Sequence, residues 1–155
     1  MNVVNVVMTC RKLADPPPNV PSEELRNAVK YYFLEHDVIA IYFRTGKVKV
    51  FSSRHPPPSL PYYGDCRVEN VVAVTEIPAM PVEELKEMLE RRGFAVADRE
   101  KVNGILVYAP LAGATARIFP RAGAAKYKTN IFAPTPEAAE EVERLLMSIF
   151  AESTG

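Results

Sequence analysis

Apolar positions cluster at once in this chain. Val3, Val4, Val6, Val7 and Met8 surround a single Asn5, and residues 3–10 read as a buried or half-buried strand. The segment Asp15-Pro16-Pro17-Pro18-Asn19-Val20-Pro21 reads as extended loop, because each proline fixes its own φ and restricts the residue before it. Ser22 then stands where a helix cap would, with Glu23 and Glu24 suited to the positive end of a helix dipole. Leu25, Ala28, Val29, Tyr32 and Phe33 recur at helical spacing, which predicts a helix ending near Glu35-His36-Asp37. Residues 38–43 and 47–52 alternate apolar and polar around Arg44-Thr45-Gly46, a hairpin with glycine in the left-handed position of a three-residue loop. With that loop Ile41, Phe43, Lys47, Lys49 and Phe51 share one face of it and Ala40, Tyr42, Val48 and Val50 the other, whereas a two-residue Thr45-Gly46 turn would change the pairing.

Residues 54–66 are a proline-rich linker, after which the pattern returns in longer form. Residues 69–77 repeat the first strand. Pro81 opens a helix with Val82, Leu85, Met88 and Leu89 inward, basic Arg91 and Arg92 near its end, and Gly93 as its stop. Strands are predicted over 94–100, 104–109, 115–119 and 126–132. A last helix begins at Thr135-Pro136-Glu137, with Ala138, Val142, Leu145, Leu146 and Ile149 on one side. The two halves share an order of signals: Asn5-Val6-Val7, Glu23-Glu24-Leu25 and Phe43 with Gly46-Lys47-Val48-Lys49, against Asn70-Val71-Val72, Glu83-Glu84-Leu85 and Phe119 with Gly123 and Lys126-Tyr127-Lys128. The reading is one domain over 1–155, with repeat one at 3–53 and repeat two at 67–150. Its class is α+β, with helices on one face of an antiparallel sheet. The other face must be wet or covered by something else.

Composition narrows the function. The 155 residues carry 19 basic and 19 acidic side chains, and this zero net charge argues against a strongly electrostatic polyanion binder. No apolar run reaches the length of a membrane span and no basic leader opens the chain, so the expected location is cytoplasmic, without membrane contact. Cys10 and Cys66 have no metal-site spacing with His36 and His55, so no metal or other cofactor is expected. Asp98, Glu100 and Lys101 lack a nucleophile or orienting histidine, and 121–126 lacks the ending of a phosphate loop. The expectation is therefore a protein that is not an enzyme.

The motifs Asn5-Val6-Val7-Met8, Asn70-Val71-Val72-Ala73, the run from Ile41 to Val50, and Arg117-Ile118-Phe119 resemble the TATA-binding protein family. That resemblance implies a curved, saddle-shaped sheet of two repeats, here unequal, and a role in DNA binding of the kind used in transcription. It places Asn5, Val7, Asn70 and Val72 at the centre of the concave face, with Phe43 and Phe119 as wedges between base steps. The chain departs from the family by lacking two middle strands and a closing helix in its first half. It also has Val102 in the region of a further wedge and an expanded 120–125 loop, so ordinary TATA bending is not expected. The saddle would set residues 3–10 and 69–76 antiparallel and side by side. That brings Cys10 near Cys66 and makes their disulfide a candidate.

The candidate nucleic-acid-binding residues are Asn5, Val7, Phe43, Arg44, Lys47, Lys49, Asn70, Val72, Arg117, Phe119, Lys126 and Lys128. Asparagine is a poor strand former, so Asn5 and Asn70 suit a donor–acceptor role toward base edges, or are simply satisfied polar residues near strand starts. The lysines suit phosphates, though solvated strand faces carry them as well. Phe51 and Phe132 are expected in a core or interface. The alternative reading is a protein-interaction module whose exposed sheet, with Tyr42, Phe51, Tyr62 and Tyr63, docks a protein partner or a second copy.

Overall fold

The computed structural model describes residues 1–97 and 104–153. Asp98, Glu100, Lys101 and Val102 therefore lie outside the described residues. Thirteen elements follow one another: β1 (Asn2–Lys12), β2 (Ser22–Glu24), β3 (Ala28–Phe33), a single 3-10 turn (Leu34–His36), β4 (Val38–Phe43), β5 (Lys47–Ser52), β6 (Tyr63–Pro78), α1 (Val82–Arg91), β7 (Ala95–Ala97), β8 (Ile105–Tyr108), β9 (Thr115–Phe119), β10 (Lys126–Ala133) and α2 (Pro136–Ser153). The fold is α+β, and its strands form an open antiparallel sheet in the order β2-β3-β4-β5-β1-β6-β10-β9-β8-β7. The chain divides into two compact units, an N-terminal one (Val3–Val71) and a C-terminal one (Met1–Asn2 with Val72–Gly155).

In the N-terminal unit the helix expected over 22–36 is absent; β2, β3 and the 3-10 turn occupy that segment. Val29-Lys30-Tyr31-Tyr32-Phe33 is rich in β-branched and aromatic residues, which pack well on a pleated surface. The deciding gain is tertiary. Pairing β3 with β4 puts Tyr31 edge-on to Tyr42 at 5.1 Å, and Phe33 stacks on Tyr62 at 5.7 Å. Glu23 and Glu24 thus serve no helix dipole; Glu23 accepts the Tyr32 hydroxyl at 3.1 Å. Leu25, placed inward by the helical reading, is exposed.

The hairpin is as the pattern reads. Tyr42 lies opposite Val48, Gly46 takes φ +90°, and its N–H donates to the Phe43 carbonyl at 3.0 Å. One face, with Ala40, Tyr42, Val48 and Val50, joins Val6, Met8 and Cys10 of β1 in the core. Among the described residues Val3–Val71 contain no α-helix. Leu60 and Tyr63, from the stretch read as linker and the start of β6, belong to it, and Val20 and Tyr62 pack against it. Prolines make such loops stiff, so they lose less entropy than ordinary loops on folding.

Strands β1 and β6 are neighbours. Cys10 and Cys66 are bonded with Cα atoms 4.1 Å apart, and the Leu13 amide donates to the Tyr62 carbonyl at 3.0 Å. Rising numbers on one strand meet falling numbers on the other, so the pairing is antiparallel.

The C-terminal unit follows its pattern closely. Leu85 and Leu89 of α1 and Ala139, Val142, Leu146 and Ile149 of α2 are buried with Ala73, Ile77, Ile118 and Ile131 of the strands. Thr135 caps α2, its Oγ1 accepting the Ala138 N–H at 3.1 Å. Phe94 N–H returns to the Leu89 carbonyl at 3.1 Å across Gly93 (φ +90°), which ends α1.

Two outcomes follow from this packing. The disulfide spans a sequence separation of 56 residues, and loop-closure entropy of that size is worth about 4 kcal/mol. Urea unfolding with and without reductant should show a loss of that order, and denatured protein should titrate no thiols until reduced. Burial pushes the Tyr63 phenol up to about 12, and its hydroxyl has no hydrogen-bond partner among the described residues. A phenol whose folded pKa is raised favours folding below its unfolded pKa of about 10 and loses that contribution as pH climbs toward 12. Tyr63→Phe should therefore leave stability at pH 7 unchanged or higher and flatten the alkaline loss, as measured by thermal melts across pH.

Candidate nucleic-acid interface

Strand alternation sorts the candidate residues. In the N-terminal unit Val7 lies opposite Phe51 and Thr9 opposite Lys49, while Ile41 also faces Lys49. Asn5, Val7, Phe43, Lys47 and Lys49 therefore share the face that points away from the Val6–Met8–Cys10 core. Phe43 and Lys49 are half-buried there, Lys47 is exposed, and Arg44 is exposed at the hairpin tip. The Lys47 ammonium sits 6.0 Å from the centre of the Phe43 ring, at the outer reach of a cation–π contact. Phe51, expected in a core or interface, is half-buried on this same face.

The basic groups here are partly neutralised. Lys49 is 3.7 Å from Glu69, and Arg11 is 2.7 Å from Asp65. Glu69 also accepts the Thr9 hydroxyl. That hydrogen bond is the main reason its carboxyl lies below the ordinary range; partial desolvation opposes it, and Lys49, Lys47 and Arg67 add to it.

Asn70 does not join Asn5. Cys10 and Cys66 bridge directly across β1 and β6, so residues in phase with Cys66 share the face of Cys10. Val68 confirms this by packing against the core that contains Val6 and Met8. Asn70 is in phase with Val68 and Asn5 is out of phase with Cys10, so the two asparagines point to opposite faces. This corrects the expectation of a single centre formed by both Asn-Val-Val segments. The adjacency of the strands is as expected, but the register is odd by one residue, and with a period of two that inverts a face. Val72 alternates with the fully buried Ala73 and is half-buried.

In the C-terminal unit Lys128 lies opposite Phe119 and Asn130 opposite Arg117. These four, with Lys126 by alternation, occupy the face opposite the buried Ile118, Tyr127 and Thr129. Phe132, opposite Thr115 and expected in a core or interface, lies half-buried on this face too. Arg117 Nε and Asn130 Oδ1 are buried side-chain atoms without a hydrogen-bond partner among the described residues. Asn130 escaped the sequence reading, although its phase with Lys126 and Lys128 marks it. Among the described residues no carboxylate lies within 4.0 Å of Lys126, Lys128 or Arg117.

Gly104 positions this face. A Cβ there would meet the Ile118 carbonyl oxygen at 2.7 Å, the Phe119 ring at 3.0 Å and the Arg117 stem at 3.2 Å, and its φ is +95°. Only glycine allows β8 to begin this close to β9.

Among the described residues there is no group of three His, Cys, Asp or Glu side chains placed to hold a metal ion, and no helix long and apolar enough to cross a membrane. The sequence matches no protein-family model and no curated protein.

Gly104→Ala should destabilise the protein by about 1–3 kcal/mol, through the left-handed backbone and the carbonyl contact together. Thermal or urea unfolding measures it, and a change within a few tenths would contradict the close approach.

Proposed function

We propose that this protein is a non-enzymatic nucleic-acid-binding module that takes single-stranded nucleic acid on its aromatic and basic sheet faces. One observation carries the reading. In each unit, on the sheet face opposite Val6, Met8 and Cys10 or opposite Ile118 and Thr129, a phenylalanine stands beside a lysine on the neighbouring strand, Phe43 with Lys47 and Phe119 with Lys128. Aromatic rings stack on bases of any sequence and lysines follow the backbone, which is the chemistry of single-strand platforms. The resemblance to the TATA-binding family adds support from the second half. There the order of a strand, a helix, four strands and a helix is what one family half-domain implies. The first half contributes no helix, and Asn5 and Asn70 face opposite ways, so duplex bending is not part of the proposal.

The second reading is a protein-interaction module. It is favoured by the pairing of Lys49 with Glu69 and Arg11 with Asp65, which leaves the N-terminal unit's face less basic than its lysines suggest.

Fluorescence anisotropy at low salt against single-stranded, duplex and hybrid oligonucleotides separates the two. Single strands should bind tightest. Phe119→Ala should weaken them by roughly 5- to 150-fold, the worth of one stacked base, and Lys128→Gln should lower the salt slope by about one. Absence of binding to all three sinks the proposal. A concentration-dependent mass by light scattering would then select self-association.

A further inference from the structure

A trough of about 520 Å³ opens on the N-terminal unit, at the end of β4 away from the Phe43 turn. Its apolar lining follows from strand register. Ile39 lies opposite both Tyr32 and Phe51, and Ile41 lies opposite Lys30, so these side chains make a band across three strands. The volume falls within the range of small-molecule sites, which are mostly apolar with a few convergent polar groups.

Charge identifies the occupant. Four charged side chains stand at or beside this site, and both acids have partners other than Lys30. Asp37 is ion-paired with Arg54 at 2.9 Å, and Glu23, opposite Lys30 in register, accepts the Tyr32 hydroxyl. Lys30 is the cation that makes no ion pair among the described residues, although Glu23 keeps its charge across the strand pair. Its ammonium stands 5.1 Å from the centre of the Tyr32 ring, with no carboxylate within 4.0 Å among the described residues. At the far end Asn5 lines the trough, and its amide has no protein partner among the described residues. Lys30 and Asn5 are separated by the three strand spacings from β3 through β4 and β5 to β1, roughly 14 Å.

We propose that this trough binds a small amphiphilic monoanion. Its acidic head pairs with Lys30, and its apolar body lies across Ile41, Ile39 and Phe51 toward Asn5. The trough lies on the same sheet face as Phe43, Lys47 and Lys49, but it recognises its ligand by apolar burial and one positive charge, not by base stacking.

The test is a titration of isotopically labelled full-length protein with decanoate, followed by backbone amide shifts, with decanol as the uncharged control. Saturable, single-site shifts centred on Ile39, Ile41 and Phe51 are expected. Ile41→Trp fills the trough from a half-buried position and should abolish them. Lys30→Gln should weaken decanoate about three- to five-fold, the worth of one exposed ion pair, and leave decanol unchanged. Shifts that never saturate or scatter over the surface overturn the site. So does an Ile41→Trp variant that binds as the parent does. Equal binding of decanoate and decanol, with no effect of Lys30→Gln, overturns the assignment of an anion. Should Ile41→Trp fail to fold, the Lys30→Gln comparison decides alone.

Discussion

A β-strand has two faces and a period of two residues, and in the N-terminal unit that constraint decides almost everything else. Once Val6, Met8 and Cys10 are committed to the core, Asn5, Val7 and Thr9 have only one other place to be. The same rule carries through the hairpin, where Ala40, Tyr42, Val48 and Val50 turn inward and leave Ile41, Phe43, Lys47, Lys49 and Phe51 outward. Burial of the inner set removes the larger share of apolar surface from water, so it fixes register, and the chemistry of the outer face is what register leaves over.

The covering of that inner set is unusual for an α+β unit. Helices normally close a sheet face, but here Val20, Leu60, Tyr62 and Tyr63 reach it from the proline-rich loops and the start of β6. The aromatic side chains make this workable. Tyr42 donates its hydroxyl to the Tyr62 carbonyl at 3.3 Å, and the burial that pairs them also raises the Tyr42 pKa, with neighbouring phenols adding to the effect. A loop can act as a lid when its rings stack, as Tyr62 does on Phe33.

Most of this was legible in the sequence, and the failures have identifiable causes. The hairpin at Arg44-Thr45-Gly46 was readable because alternation and a glycine turn agree. Both helices of the second half were readable because Leu85 and Leu89, and Val142, Leu146 and Ile149, recur at helical spacing with a proline or a cap in front. Residues 22–36 misled because Leu25, Ala28, Val29, Tyr32 and Phe33 fit helical spacing while Val29, Tyr31 and Phe33 equally fit a strand. Only the partner β4 arbitrates, and it lies farther along the chain. Phe51 and Phe132, expected in a core or interface, lie half-buried on sheet faces, because alternation gives a face but not which face a covering layer chooses. The opposed directions of Asn5 and Asn70 were beyond reach, since they depend on a cross-strand register that matching Asn-Val-Val segments do not specify.

The Cys10–Cys66 bond also changes what a cut chain would be. It closes β2, β3, β4, β5 and both proline-rich loops of the N-terminal unit into one covalent ring. A protease that nicks the exposed stretch around Ser53, Arg54 and His55 would therefore not release a fragment. The two pieces would stay tethered, held in the sheet by the same neighbours as before. Separation would require reduction as well as cleavage.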